Sequence, residues 1–139
     1  MELKQLSKWV VIIGAVIILV IKSVIRPLQL FGDPMRFFLN IAPNLLSAFL
    51  VPFMSYWFFS GRDFMIARIF RIHSAYDLRL VCLLGFLFLV INEYMQRFPV
   101  FGRTFDINDI LFSSIGLACS WVIFGRLLQA GLRPVERPE

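Results

Sequence analysis

Four stretches of this chain stay apolar for about as long as a bilayer is thick, and nothing else in the sequence constrains the fold as tightly. They cover residues 9–25, 41–59, 78–95 and 107–128, each bounded by polar clusters. A helix needs about 20 predominantly apolar residues to cross the hydrocarbon core. Strands are excluded, because four could not close a barrel and each unpaired backbone group in hydrocarbon costs several kcal/mol. The expectation is an all-α integral membrane protein: a bundle of four transmembrane helices in a single membrane domain, residues 1–139. Pro43 and Pro52 fall inside the second helix and predict kinks.

Composition removes the alternatives. The chain is 59% hydrophobic and 17% charged, with a mean hydropathy of +0.78, against roughly 45–50% and about 25% in a soluble domain. The first apolar run follows a short basic start, as in a signal peptide, but continues to Ile25 without an Ala-x-Ala-like cleavage site and reads as a retained helix. Cys82 and Cys119 have no Cys-x-x-Cys or His companion, so both read as small buried hydrophobes, and neither a metal site nor a cofactor is expected.

The net charge of +5 is a topology signal in such a chain. No basic and aromatic repeat suggests base stacking, so membrane lipids are the expected partners and nucleic acid is not. With four crossings the termini share a side, together with Lys4, Lys8, Arg62, Arg68, Arg71, Arg79, Arg126, Arg133 and Arg137. The opposite side holds Lys22, Arg26, Arg36, Arg97 and Arg103. The excess places both termini and the middle loop in the cytoplasm. In that loop, residues 62–76, Met65, Ile66, Ile69 and Phe70 recur at helical spacing while Arg62, Arg68 and Arg71 project elsewhere. This is the pattern of a short basic interfacial helix between helices 2 and 3; the alternative is a prolongation of either neighbour. His73 reads as an ordinary interfacial residue. Gly32-Asp33-Pro34 reads as a turn, with Met35, Phe37, Phe38 and Leu39 dipping into the outer interface.

Ionisable groups at the ends of membrane helices are expensive and mark candidate sites. Here four helices bring theirs to one level near the outer leaflet. The first contributes Lys22, the second Asn40 and Asn44, the third Asn92, Glu93 and Gln96, and the fourth Asp106, Asn108 and Asp109. Glu93 and Gln96 share a helix face, as do Asp106 and Asp109, which Ser113 and Gly116 continue. Arg97 and Arg103 lie between the last two helices. Carboxylates can orient such guanidiniums, which suit bidentate contact with phosphate, so the cluster of Lys22, Asn44, Glu93, Gln96, Arg97, Arg103, Asp106 and Asp109 predicts a lipid head-group site. A structural alternative stands beside it: Asp106 as N-cap, Asp109 facing the helix dipole, Glu93 paired with Arg97, and Lys22 extended to the interface. Ser113, Gly116 and Ser120 form a small-residue stripe for helix packing. Gly-x-Ser-x-Gly, a Ser-His-Asp set at one depth and a Gly-rich phosphate loop are all missing, which leaves a paired-carboxylate hydrolase using Glu93 and Asp109 as the one enzymatic option and no catalytic assignment.

The run Glu93-x-x-Gln96, then Arg103, then Asp109 with Ser113 and Gly116, resembles the signature of the VanZ-like family of small bacterial membrane proteins. That family shows Glu-x-x-Gln at one helix end, an outer-loop Arg, and Asp-x-x-x-Asn-x-x-Gly at the next helix start; here Ser113 stands in place of the Asn. Ala42-Pro43-Asn44-Leu45-Leu46 is similar to the polar start of the matching family helix. The resemblance implies a multi-pass protein of the bacterial inner membrane in which Glu93, Gln96, Arg103 and Asp109 are functional, without supplying a reaction. One named member is associated with low-level teicoplanin resistance, a role that does not transfer to this chain. Two functions follow: binding of an anionic lipid or lipid-linked cell-envelope precursor, or an accessory role, in which the same residues hold a partner membrane protein or a second copy of the chain. Four helices without a repeat offer little room for a transporter.

Overall fold

The computed structural model describes residues 2–25, 27, 32–95 and 107–130, whose regular structure is entirely helical. Helix α1 spans Leu3–Val20 and runs on into a π-helical turn, Ile21–Ile25. It is followed by α2 (Asp33–Phe59), the short α3 (Met65–Phe70), α4 (Ala75–Met95) and α5 (Ile107–Gln129). Among the described residues four helices are long and apolar enough to cross a membrane, the shortest having 21 residues and the longest 27. At 1.5 Å per residue these reach about 31 Å and about 40 Å, against a hydrocarbon core of about 30 Å.

Most of the apolar surface on these helices points away from the protein. Only 17% of the apolar window of α1 and of α4 is buried inside the bundle, and Leu19, Leu83 and Phe88 are each more than 60% exposed. Soluble monomers rarely carry contiguous apolar patches beyond a few hundred Å². The solvent that suits this surface is lipid, and by the composition of its helices the chain is a multi-pass membrane protein. Cys119 belongs to this outward surface, whereas Cys82 is half-buried. The expectation that both are buried is corrected for Cys119, because an apolar position in a membrane helix can satisfy itself against lipid.

Helix α2 is central, packing on α1, α4 and α5, most extensively on α5. Each neighbour meets it with a glycine. A Cβ built on Gly14 of α1 lies 2.7 Å from Leu50 Cδ1, one on Gly85 of α4 lies 2.6 Å from Val51 Cγ1, and one on Gly116 of α5 strikes the Leu45 carbonyl. Lipid tails are as apolar as leucine, so helix association in a membrane depends on close van der Waals approach, which small residues permit. One turn beyond Gly116, the Ser120 hydroxyl donates to the Phe49 carbonyl.

The start of α1, the end of α2, α3, the start of α4 and the end of α5 gather at one end of the bundle. Leu3, Phe53, Tyr56, Ile72, Leu78 and Phe124 form its core. Phe124 packs edge-on against Phe53 at 5.1 Å between ring centroids and against Tyr56 at 5.7 Å. After α2 the chain turns through Gly61, whose φ of +79° is accessible to glycine without strain. The Lys4 ammonium donates to the Ser60 carbonyl, and the Ser55 hydroxyl donates to the Phe70 carbonyl, fixing α3 to α2. Helix α3 is therefore a separate element that prolongs neither neighbour. It spans six residues, fewer than the segment 62–76, with Ala67 buried and Met65, Ile66 and Ile69 facing outward.

Several boundaries differ from expectation. Helix α1 starts at Leu3, not at residue 9, because Leu3 and Ser7 are buried on one face while Lys4 and Lys8 sit on the exposed surface. A window scored on mean apolarity discards such a mixed turn. Helix α2 starts at Asp33, not 41: Gly32 is its N-cap and Pro34 lies in the first turn, where a missing N–H costs nothing. Gly32-Asp33-Pro34 is thus a helix start, and Met35 to Leu39 are helical. Helix α4 starts at Ala75, not 78, because Asp77 accepts the backbone N–H groups of His73 and Ser74 while the Ser74 hydroxyl accepts that of Asp77, a reciprocal cap. Helix α5 ends one residue beyond expectation, at Gln129. Pro43 and Pro52 lie inside α2, as the sequence places them, and the helix is α-helical through both; both are buried, where neighbouring helices and a Ser47 hydroxyl donating to the Pro43 carbonyl surround the altered backbone.

Candidate functional site at the buried glutamate

The glycine contacts fix the register of every long helix against α2. Gly14 meets Leu50 and Gly85 meets Val51, and both helices run antiparallel to α2. Lys22 and Glu93 each lie eight residues beyond their glycine, and eight residues back along α2 are Ala42 and Pro43. Helix α5 runs parallel to α2, so Gly116 opposite Leu45 sets Ser113 level with Ala42 and Asp109 about one turn further out. The Phe37 and Phe112 rings, with centroids 6.3 Å apart, mark the same level. Lys22, Asn44, Glu93, Ser113 and Asp109 therefore occupy one band at the end of the bundle opposite the aromatic core.

Within this band the side chains differ in burial. Glu93 is 6% exposed and is the one charged residue buried among the described residues. Ser113 is buried beside it in level, Asn44, Asn108 and Asp109 are half-buried, and Lys22, Asn40 and Asn92 are exposed. Asn40, Glu93, Asn108 and Asp109 each have an interaction partner. A carboxylate at such a position is costly unless it is paired or hydrogen-bonded, because a low dielectric penalises the charged form. Asp109 lies in the first turn of α5, where the helix dipole favours a negative charge. Lys22 lies in the π-helical turn, its long stem able to carry the ammonium to the interface.

Gln96, Arg97, Arg103 and Asp106 lie outside the described residues. The described part of the band is thus one buried carboxylate, one half-buried carboxylate, amides and an exposed ammonium. Ser113, Gly116 and Ser120 lie along the side of α5 that meets α2, with Gly116 against Leu45 and Ser120 bonded to Phe49. At the other end of α4 and α5 lies a cleft whose arginines, Arg79 and Arg126, count in the sequence only as topology charges. Its partners come from two helices, so no spacing within one element announces it. No family model, no curated protein and no solved structure matches the chain.

Proposed function

We propose that this membrane protein binds the head group of an anionic lipid, or of a lipid-linked cell-envelope precursor, at the polar band around Glu93. The observation that carries this reading is the burial of Glu93 near the end of a candidate span, level with polar groups of the three other long helices. An ionisable group buried at the end of a membrane helix is a functional marker by default. In this reading Arg103 and Arg97 contact the phosphate, Glu93 and Asp109 orient those cations, and Asn44 and Gln96 complete the hydrogen bonds. Membership of the VanZ-like family is part of the same proposal and rests on the spacing of Glu93, Gln96, Arg103, Asp109 and Gly116. With both termini cytoplasmic in a bacterial inner membrane, the band faces the outer leaflet.

The test is native mass spectrometry of the protein extracted gently from its own membrane, beside Arg103→Ala and Glu93→Gln. The expected outcome is an anionic or polyprenyl lipid on the parent chain whose bound number falls with either substitution while the fold survives. Equal loss of folded protein in both variants assigns these residues to pinning helices. A second polypeptide at fixed stoichiometry, with lipid unchanged by the substitutions, makes the chain an accessory subunit.

A further inference from the structure

At the end of the bundle where α4 begins and α5 finishes, the two helices part to leave a cleft of about 700 Å³. Its walls carry His73 and Ser74 from the residues just before α4, Arg79 from the start of α4, and Trp121, Arg126 and Gln129 from the last turns of α5. The Arg79 guanidinium stands over the Trp121 ring, 6.0 Å from its centroid, an arrangement in which the ring face attracts the cation and holds it in place. Among the described residues no carboxylate pairs with Arg79 or Arg126, whereas Arg71 pairs with Asp63. Asp77, the nearest acid in sequence, is turned onto the backbone N–H groups of His73 and Ser74. Two guanidiniums thus share one cleft without a counter-charge from the described residues.

The shape of the cleft narrows the choice of anion. Gly125 lines it, and a Cβ there would find Leu78 Cδ2 at an ordinary 3.7 Å, so the glycine widens the space and is not demanded by helix contact. Val122 and Leu128 supply apolar wall beside the arginines, and outward-facing Trp121 and Ile123 continue apolar surface along α5. A ligand here meets cations at one end and lipid-facing surface at the other. We infer that the cleft between α4 and α5 is a second anion site, which takes the phosphate of a membrane phospholipid between Arg79 and Arg126 while its acyl chains follow α5. Planar guanidiniums suit a phosphate through paired hydrogen bonds, and Ser74 and Gln129 line the cleft as further polar groups. This site lies at the opposite end of the bundle from Glu93 and does not depend on the reading given to that residue.

The test uses the full-length protein in detergent, titrated with phosphatidylglycerol, phosphatidylcholine or inorganic phosphate and followed by native mass spectrometry. The parent chain is expected to retain phosphatidylglycerol over phosphatidylcholine, and Arg79→Gln with Arg126→Gln to weaken that retention by about tenfold to a hundredfold. Gly125→Leu fills the cleft without touching a charge and is expected to weaken retention similarly with unchanged thermal stability, which keeps the test decisive if the arginine variant unfolds. Arg62→Gln with Arg68→Gln, outside the cleft, is expected to leave retention unchanged. Equal binding of phosphatidylcholine, or full retention in the Gly125→Leu variant, overturns the site. Displacement of the lipid by millimolar inorganic phosphate overturns the assignment to a phospholipid in favour of a free phosphate.

Discussion

Gly116 has no room for even one methyl group, because a Cβ there meets the backbone of Leu45 and not the tip of a mobile side chain. Gly116→Ala must push α5 away from α2 and is expected to cost about 1–3 kcal/mol, the usual range for overpacking. Gly14→Ala meets the side chain of Leu50, its two Cδ atoms at 2.7 Å and its Cγ at 3.1 Å, and no backbone, so a side-chain shift can relieve it and it is expected to cost less. Thermal unfolding of both variants in one detergent checks the order, and equal stability would show that the α2–α5 approach is looser than described. Ser7 behaves in the opposite sense. Its hydroxyl is fully buried with no hydrogen-bond partner among the described residues, so Ser7→Ala is expected to stabilise the protein by about 1 kcal/mol. Gly116 was legible in the sequence as one member of a small-residue stripe. Gly14 and Gly85 were not, because a lone glycine in an apolar run announces a close approach only once the partner helix is known.

At the scale of elements, the spans were legible because hydrocarbon thickness alone fixes their number and minimum length. Their starts were not, because helix starts are set by local chemistry that a window of mean apolarity ignores. Ser74-x-x-Asp77 is a capping sequence, and Pro34 after Gly32-Asp33 is a first-turn proline; both signals stand in the sequence and mark starts three and eight residues earlier than apolarity does. Ser74→Ala is expected to cost about 1 kcal/mol by removing the cap, read as a lower unfolding temperature, and no change would mean that packing alone holds the first turn of α4. Helix α3 shows the same lesson from the packing side. Its spacing announced a helix, but which of its residues face the bundle depended on Ser55 and Phe59 of α2, which bond and stack with Phe70.

On the scale of the whole molecule, one topology organises everything else: three long helices around α2, with the aromatic core and the arginine cleft at one end and the Glu93 band at the other. The shared level of Lys22, Asn44, Glu93 and Asp109 was readable from the alternation of spans, since each crossing reverses direction and carries its end residues to a fixed side. The burial of Glu93 and the cleft between α4 and α5 were not readable, because both depend on how helices rotate about their own axes against their neighbours. The measurement that bears most directly on this arrangement is cysteine accessibility in intact and opened cells, in a background with Cys82 and Cys119 replaced by alanine. Single cysteines are placed at the exposed positions Arg62, Ala130, Gly32 and Ile107. A membrane-impermeant maleimide is predicted to reach Arg62→Cys and Ala130→Cys only after the cells are opened, and Gly32→Cys and Ile107→Cys in intact cells. Labelling of Gly32→Cys and Arg62→Cys from the same side would contradict the four-crossing arrangement and the separation of the two polar ends with it.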